Sequence, residues 1–221
     1  MLLETISAVQ RLWRRESLAT QGGDGQPCEV RTYPAPISAE LPVWLTAAGN
    51  PDTFRIAGKN GFGVLTHLLG QTFDDLALKV ADYRAARTVT GDRGHVVLML
   101  HTLLGPDREA VRQAVRAPLS DYLRSSLGLL LQAAGDILPE LDPEDLSESD
   151  VDFLVAKGFD RYFTHGGLFG TVEDGLAMLR RVHAAGVDEV ACLIDFVDTD
   201  TALAGLPHLD ELRRAWQAQS A

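Results

Sequence analysis

Two histidines and one glycine-containing loop are the parts of this sequence whose residue types could support chemistry. His67 and His101 each lie within or at the end of an apolar run, and the loop Ala48-Gly-Asn-Pro51 follows another such run. A histidine changes its protonation state near neutral pH, so it can move a proton during catalysis. Glycine lets a ligand approach the backbone, and a helix that begins at Pro51 presents free N–H groups that suit a phosphate.

Each of these features also has a purely structural explanation. The tetrapeptide forms a capped turn without any ligand, and on spacing alone we favour that interpretation. Asp52 in the first turn of the predicted helix slightly opposes an anion there. A single histidine within a strand is usually a hydrogen-bonded core residue, and this applies to His67 and His101 alike.

Other motifs in the sequence give weaker signals. The segment Gly166–Thr171 resembles a phosphate loop but lacks the lysine and the spacing of a Walker motif. No histidine spacing is typical of a zinc site, so we predict no metal. Cys28 and Cys192 are the only cysteines, and two thiols so far apart give no disulfide framework, which fits a reducing cytosol.

The elements that must position these residues follow a regular pattern. Apolar runs at 41–47, 61–67, 95–104 and 188–196 alternate with helical patterns, which predicts a parallel sheet covered on its faces. The predicted helices span 51–59, 72–87, 107–126, 171–185 and 208–217. The C-terminal ends of parallel strands share one edge of a sheet. That edge gathers the following residues: Thr46, Gly49, Asn50, Thr66, His67, His101, Thr102 and Asp195.

The remaining segments of the chain contain fewer residues that indicate a function. Residues 2–15 have the spacing of an amphipathic helix, and 17–36 form a loop with one short strand near 28–32. We interpret 127–168 as a helical insertion over one end of the sheet. A lid over the site and an insertion without a functional role explain this segment equally well. Four strands are too few for an eight-stranded barrel, so the chain is either a small open sheet or part of a barrel.

Composition excludes several classes of protein. With 46% apolar and 23% charged residues, the 221-residue chain can build a globular core. A net charge of −11 argues against nucleic acid and anionic membranes as partners. The N-terminus lacks the pattern of a secretory signal, and the longest apolar run, 127–134, is too short to span a bilayer. We expect a soluble cytoplasmic protein.

Several sequence strings, in order, resemble one known family. They are Leu41-Pro-Val-Trp-Leu-Thr-Ala-Ala-Gly-Asn-Pro-Asp-Thr-Phe54, Val64-Leu-Thr-His-Leu-Leu-Gly70, Leu98-Met-Leu-His-Thr102, Tyr122-Leu-Arg-Ser-Ser126, Gly167-Leu-Phe-Gly-Thr171 and Gly186-Val-Asp-Glu-Val-Ala-Cys-Leu-Ile-Asp-Phe196. They closely resemble the luciferase-like monooxygenases encoded in bacterial polyketide and nonribosomal-peptide clusters. Single strings are weak, but their order and spacing over nearly the whole chain make the resemblance strong.

The resemblance implies a fold. The family fold is a TIM (β/α)8 barrel of the bacterial-luciferase type, and these strands resemble its strands five to eight. Strands one to four have no counterpart here, so residues 1–221 are expected to form a single partial barrel domain in the α/β class. A half barrel exposes two unpaired edges, and we therefore expect a homodimer or a complementing N-terminal half.

The resemblance also implies roles for individual residues. Ala48, Gly49 and Asn50 match the phosphate loop of FMN in the family, which reverses the preference for a plain turn. Thr46 and Thr66 are expected to contact the cofactor, and His67 is expected to line the entrance of the cofactor site. His101 matches an active-site histidine of related sulfonate monooxygenases. Arg161 lies at about the spacing of their mobile-loop arginine.

The function implied by the resemblance is a monooxygenase that uses reduced FMN and O2. Its expected substrate is an acyl or peptidyl intermediate tethered to a carrier protein, and a separate flavin reductase is expected to supply the reduced FMN. Two alternatives stay open: an incomplete half barrel without catalytic activity, and an oxidoreductase that uses the deazaflavin F420.

Overall fold

The computed structural model describes residues 1–87, 91–126 and 146–220. Its contacts divide the chain into two compact units, Met1–Val43 and Trp44–Ala221. The site residues predicted from the sequence all belong to the second unit.

The N-terminal unit consists of one helix and one hairpin. Helix α1 (Leu2–Trp13) is followed by strands β1 (Leu18–Gln21) and β2 (Pro27–Val30), which pair in antiparallel orientation. The predicted helix and the strand near 28–32 are confirmed. The partner strand β1 was not predicted, because Thr20 and Gln21 interrupt any apolar alternation.

The second unit contains a parallel sheet and its connecting helices. Its elements are β3 (Trp44–Thr46), α2 (Pro51–Lys59), β4 (Gly63–His67), α3 (Phe73–Ala86), β5 (Val96–Leu104), α4 (Arg108–Ser125), α5 (Glu148–His165), β6 (Leu168–Gly170), α6 (Val172–Ala184), β7 (Glu189–Leu193) and α7 (Thr199–Ser220). All strand pairs are parallel. The predicted α/β class is confirmed.

Strand β5 is the centre of this sheet. Its first half pairs with β4 and with β7, and its last three residues pair with β6. Strand β3 pairs with β4 only, and β7 pairs with β5 only, among the strands of the described ranges. The sheet therefore ends in two strands that each have an unpaired edge.

Capping side chains explain where the helices begin. Asn50 Oδ1 accepts a hydrogen bond from Asp52 N, and Thr72 and Thr171 form capping boxes with Asp75 and Asp174. These caps satisfy N–H groups that have no partner within the helix. At the other end of α6, Gly186 takes a φ of +82°, which only glycine adopts without strain.

The two faces of the sheet differ in burial. Val64, Val96, Leu98 and Leu100 are fully buried and form one face. Side chains alternate along a strand and the registers align, so the opposite face can be identified. We call it the open face, and it consists of Thr46, Leu65, His67, Val97, Met99, His101, Ala191 and Leu193.

A second hydrophobic core lies beyond the end of β5, where α4 and α5 pack around β6. Phe159, Phe163 and Phe169 stack in sequence, with centroid distances of 5.9 and 5.5 Å. Of the predicted insertion at 127–168, residues 127–145 lie outside the described residues. Residues 148–165 form α5, whose apolar side belongs to this core. The final helix, α7, is longer than the predicted 208–217.

Candidate active site

Two polar side chains fasten the loop after β3 to the end of β4. Lys79 Nζ on α3 donates to Ala48 O and to Gln71 Oε1, both at 2.9 Å. Gln71 Nε2 in turn donates to His67 O at 2.5 Å and to Thr66 Oγ1 at 3.1 Å. The loop and the strand end are therefore held in one hydrogen-bonded network.

Lys79 and Gln71 were not predicted as site residues. Lys79 is half-buried, and burial lowers the pKa of its ammonium group, while the charge of Asp75 offsets part of this effect. Nothing in the local sequence distinguishes Lys79, because its partner Ala48 lies 31 residues earlier. It acts on the loop backbone, and so it positions residues that a ligand would contact.

The loop contains three consecutive backbone N–H groups that are not used by the fold. Within the described part of the chain, the N–H groups of Ala48, Gly49 and Asn50 have no hydrogen-bond partner. The side chain of Asn50 is committed to capping α2. A methyl group built on Gly49 would meet no atom within 4 Å, and its φ lies outside the left-handed region. The fold therefore does not require glycine here, whereas a ligand that approaches the backbone would.

The structure places the predicted residues of β3 and β4 on two faces. Thr46 is exposed and His67 is half-buried, and both lie on the open face. Thr66 is fully buried on the opposite face, where its hydroxyl accepts the hydrogen bond from Gln71. The prediction for Thr66 is therefore corrected: neighbouring residues of a strand point to opposite faces, so it supports the network behind the sheet.

His67 carries the one unsatisfied buried side-chain atom in the described ranges. Its Nδ1 is buried without a hydrogen-bond partner. Burial lowers the pKa of His67, and the backbone of Leu69 offsets part of this effect. A buried polar atom without a partner costs free energy. This Nδ1 is enclosed by protein, so a ligand on the open face would meet only the accessible part of the half-buried His67 ring.

His101 lies in a cage of aromatic side chains. Its ring centroid is 4.4 Å from that of Tyr122 and 5.1 Å from that of Phe196, and its Nδ1 is 3.0 Å from the Tyr162 hydroxyl. Burial lowers the pKa of His101, and the charge of Asp195 offsets part of this effect. Burial also raises the pKa of Tyr162, so this phenol keeps its proton and can donate it to Nδ1. The imidazole is therefore neutral, and it carries its hydrogen on Nε2 when the Tyr162 hydroxyl donates to Nδ1.

Arg161 is separated from these side chains. It is exposed on α5, directly before Tyr162, and it lines a cavity beside the loop after β4. No hydrogen bond or ion pair joins it to His67 or His101 among the described residues. The described residues contain no group of three or more histidine, cysteine or acidic side chains suited to a metal ion. They also contain no helix that is long and apolar enough to cross a membrane.

The lowered pKa values make stability depend on pH. A histidine whose folded-state pKa lies below its ordinary 6.5 stabilises the fold above that pH, and its contribution is lost as the pH falls through the folded-state value. We expect the free energy of unfolding to decrease below pH 6.5 and the slope to be shallower in His101→Gln. Urea unfolding at a series of pH values measures both slopes. Identical slopes would show that His101 has no lowered pKa.

Comparisons with known proteins give one family and one fold. A family model described as luciferase-like monooxygenase matches residues 1–189. The monooxygenase RslO1 from Streptomyces bottropensis has a similar structure, with a TM-score of 0.64 and 17% identity over 94% of this chain and 58% of that one. No curated protein matches the sequence significantly.

Two further similar structures contain different cofactors. One is the oxygenating constituent of 3,6-diketocamphane monooxygenase from Pseudomonas putida in complex with FMN (TM-score 0.52, 16% identity, 86% of this chain and 55% of that one). The other is an F420-dependent secondary alcohol dehydrogenase (TM-score 0.57, 16% identity, 87% and 55%). The chain spans a little over half the length of these structures. Together with the parallel sheet, the matches confirm the predicted fold, part of a luciferase-type (β/α)8 barrel.

Proposed function

The chain belongs to the luciferase-like monooxygenase family, and from this premise we propose that its open face forms one wall of a site for reduced FMN. The observation that carries the proposal is the common face of Thr46, His67 and His101, at whose edge the Gly49 loop lies open. When bound, reduced FMN supplies the electrons that activate O2.

The residues present fit such a cofactor at two points. The free N–H groups of Ala48, Gly49 and Asn50 would hold its phosphate, because successive backbone donors form an anion-binding concavity. Lys79 holds the carbonyl of Ala48 and so keeps this loop in place. The half-buried ring of His67 lies on the open face and would line the site beside the end of β4.

His101 is the residue that we propose moves a proton. Its neutral state provides Nε2–H as a donor when Tyr162 occupies Nδ1, and the surrounding rings exclude water from the imidazole. The aromatic cage also fixes the orientation of the ring, which matters because proton transfer requires hydrogen-bond geometry. The predicted carrier-tethered acyl or peptidyl substrate would reach this histidine across the open face.

The unpaired edges of β3 and β7 favour a partner chain that packs against this wall of the proposed site. Unpaired edges and a partly exposed face are an aggregation hazard unless another chain covers them. We propose a complementing N-terminal half or a second copy of the chain, with a separate flavin reductase as a transient partner. Light scattering of the purified chain distinguishes a dimer from a monomer that awaits its complement.

A second candidate function is an oxidoreductase dependent on F420. It is favoured by the similar fold of the F420-dependent secondary alcohol dehydrogenase. Parallel titrations with FMN and with F420 separate the two candidates, because a site for one flavin type should bind it more tightly. No binding of either would support the third alternative, a half barrel without catalytic activity.

Gly49→Val tests the phosphate loop directly. A Cβ built on Gly49 meets no protein atom within 4 Å, and the loop is exposed there, so we expect the free energy of unfolding to stay within about 0.5 kcal/mol of the wild type. The added side chain would occupy the space of the phosphate, so FMN affinity, measured by quenching of flavin fluorescence, should fall by about tenfold or more. Gly23→Val, in the open turn of the N-terminal hairpin, is the matched control. Unchanged affinity in Gly49→Val would contradict the assignment.

A further inference from the structure

A small cavity beside the loop after β4 is lined by three basic side chains. Arg161 and His165 come from α5, Arg181 comes from α6, and Leu68 and Phe73 complete the wall. We call this feature, defined by Arg161, His165 and Arg181, the basic cavity. Its volume is about 250 Å³, and none of its lining residues is acidic.

The two arginines of the basic cavity differ from most others in this unit. Neither Arg161 nor Arg181 forms an ion pair with any carboxylate of the described residues. Arginines that do form ion pairs are Arg55, Arg84, Arg87, Arg93, Arg108, Arg112, Arg124, Arg213 and Arg214. In a chain with a net charge of −11, carboxylates are abundant, so two uncompensated guanidinium groups at one cavity favour an anionic ligand.

Local packing holds these groups in place. The Arg181 guanidinium lies over the Phe73 ring, 4.4 Å from its centroid, which orients the planar group and leaves its N–H edge available. A methyl group on Gly166 would come within 2.7 Å of the Tyr162 ring, so the end of α5 is packed tightly against that ring. The carboxylate of nearby Asp75 is already bound to the backbone and hydroxyl of Thr72.

We propose that the basic cavity binds a phosphate ester, namely the phosphate of the arm on which the substrate is carried. Arginine recognises phosphate with two parallel hydrogen bonds, and two arginines with a histidine match a single phosphate group. The volume is below the roughly 300–1,000 Å³ of sites that enclose a whole small molecule, so it suits one end of an elongated ligand. The identity of the arm rests on the proposed function.

The position of the cavity connects it to the candidate active site. Arg161 directly precedes Tyr162 on α5, and the Tyr162 hydroxyl is 3.0 Å from His101 Nδ1. A phosphate bound at Arg161 would therefore anchor the arm on the same helix turn as Tyr162, the hydrogen-bond partner of the proposed proton-transferring residue His101.

Calorimetric titration of the 221-residue chain with three probes tests this site. The probes are pantetheine 4′-phosphate, pantetheine without phosphate, and inorganic phosphate as a competitor. We expect the phosphorylated probe to bind about tenfold more tightly than pantetheine, and inorganic phosphate to compete with it. The double variant Arg161→Gln/Arg181→Gln should lose this difference. Arg116→Gln/Arg180→Gln, which removes two exposed arginines outside the cavity, is the control with the same change of charge and should retain it.

Four outcomes decide the proposal. Equal affinity for the two pantetheine probes, or a double variant that keeps the preference, would overturn it. Loss of the preference for FMN over riboflavin in the double variant would mean that the cavity takes the flavin phosphate instead, which also overturns it. A chain that binds no flavin but keeps the phosphate preference would support the basic cavity while the proposed flavin site fails, so the two failures are distinguishable.

Discussion

Replacing His101 with alanine is expected to lower the rate of substrate oxidation by about 10²- to 10⁴-fold, the usual contribution of a positioned general acid or base. FMN affinity should change far less, because the proposed phosphate contacts lie on the Ala48–Asn50 loop and not on β5. The two quantities are separated by measuring product formation by mass spectrometry with a flavin reductase present, and flavin binding by fluorescence. The assay contains the chain together with the partner proposed to complete the barrel, either the N-terminal half or a second copy of the chain.

Two further variants make the His101 result specific. Tyr162→Phe keeps the buried ring but removes the hydroxyl at His101 Nδ1, so it should lower turnover less than His101→Ala and alter its pH profile. His183→Ala, which removes an exposed histidine of α6, should leave oxidation of the substrate nearly unchanged. Unchanged turnover in His101→Ala would remove this residue from the mechanism.

Replacing Phe159 with alanine is expected to cost about 3–5 kcal/mol of unfolding free energy. Phe159 is fully buried, it stacks on Phe163, and the guanidinium groups of Arg112 and Arg116 lie over its ring. The substitution leaves a cavity in the core that α4 and α5 share, and it removes these contacts. Urea unfolding followed by circular dichroism measures the loss.

The matched control lies on the same helix. Phe153 is 62% exposed, so Phe153→Ala should change the unfolding free energy by no more than about 0.5 kcal/mol. Equal losses in the two variants would show that the second core does not stabilise the unit. A loss in Phe159→Ala that also abolishes turnover would connect this core to the positioning of Tyr162 beside His101.

The sequence was sufficient for features that depend on near neighbours. The caps at Asn50, Thr72 and Thr171 set where three helices begin, because a side chain there binds an N–H group two or three residues away. Apolar runs identified β4 and β5 because one face of β4 and nearly all of β5 are buried. The order of the family strings identified the fold and placed His67 and His101 at one edge of the sheet.

Some predictions missed although the signal was local. Alternation along β4 already places Thr66 and His67 on opposite faces, so the cofactor role predicted for Thr66 ignored a rule that the sequence contained. The short strand β6 was missed for a different reason. Its three residues, Leu168–Gly170, are too few for any periodicity, and they become a strand because the end of β5 offers them a partner.

Only the tertiary structure decided which distant groups meet. Lys79 reaches Ala48 across 31 residues, Tyr162 reaches His101 across 61, and Arg161 joins Arg181 at one cavity from two different helices. Periodicity and capping are set within a few residues of the chain, whereas these contacts depend on how helices and strands pack. The sequence by itself determined the family, most of the helices and strands, and the candidate histidines. Packing determined the partners that fix the protonation and orientation of these histidines and their access to a ligand.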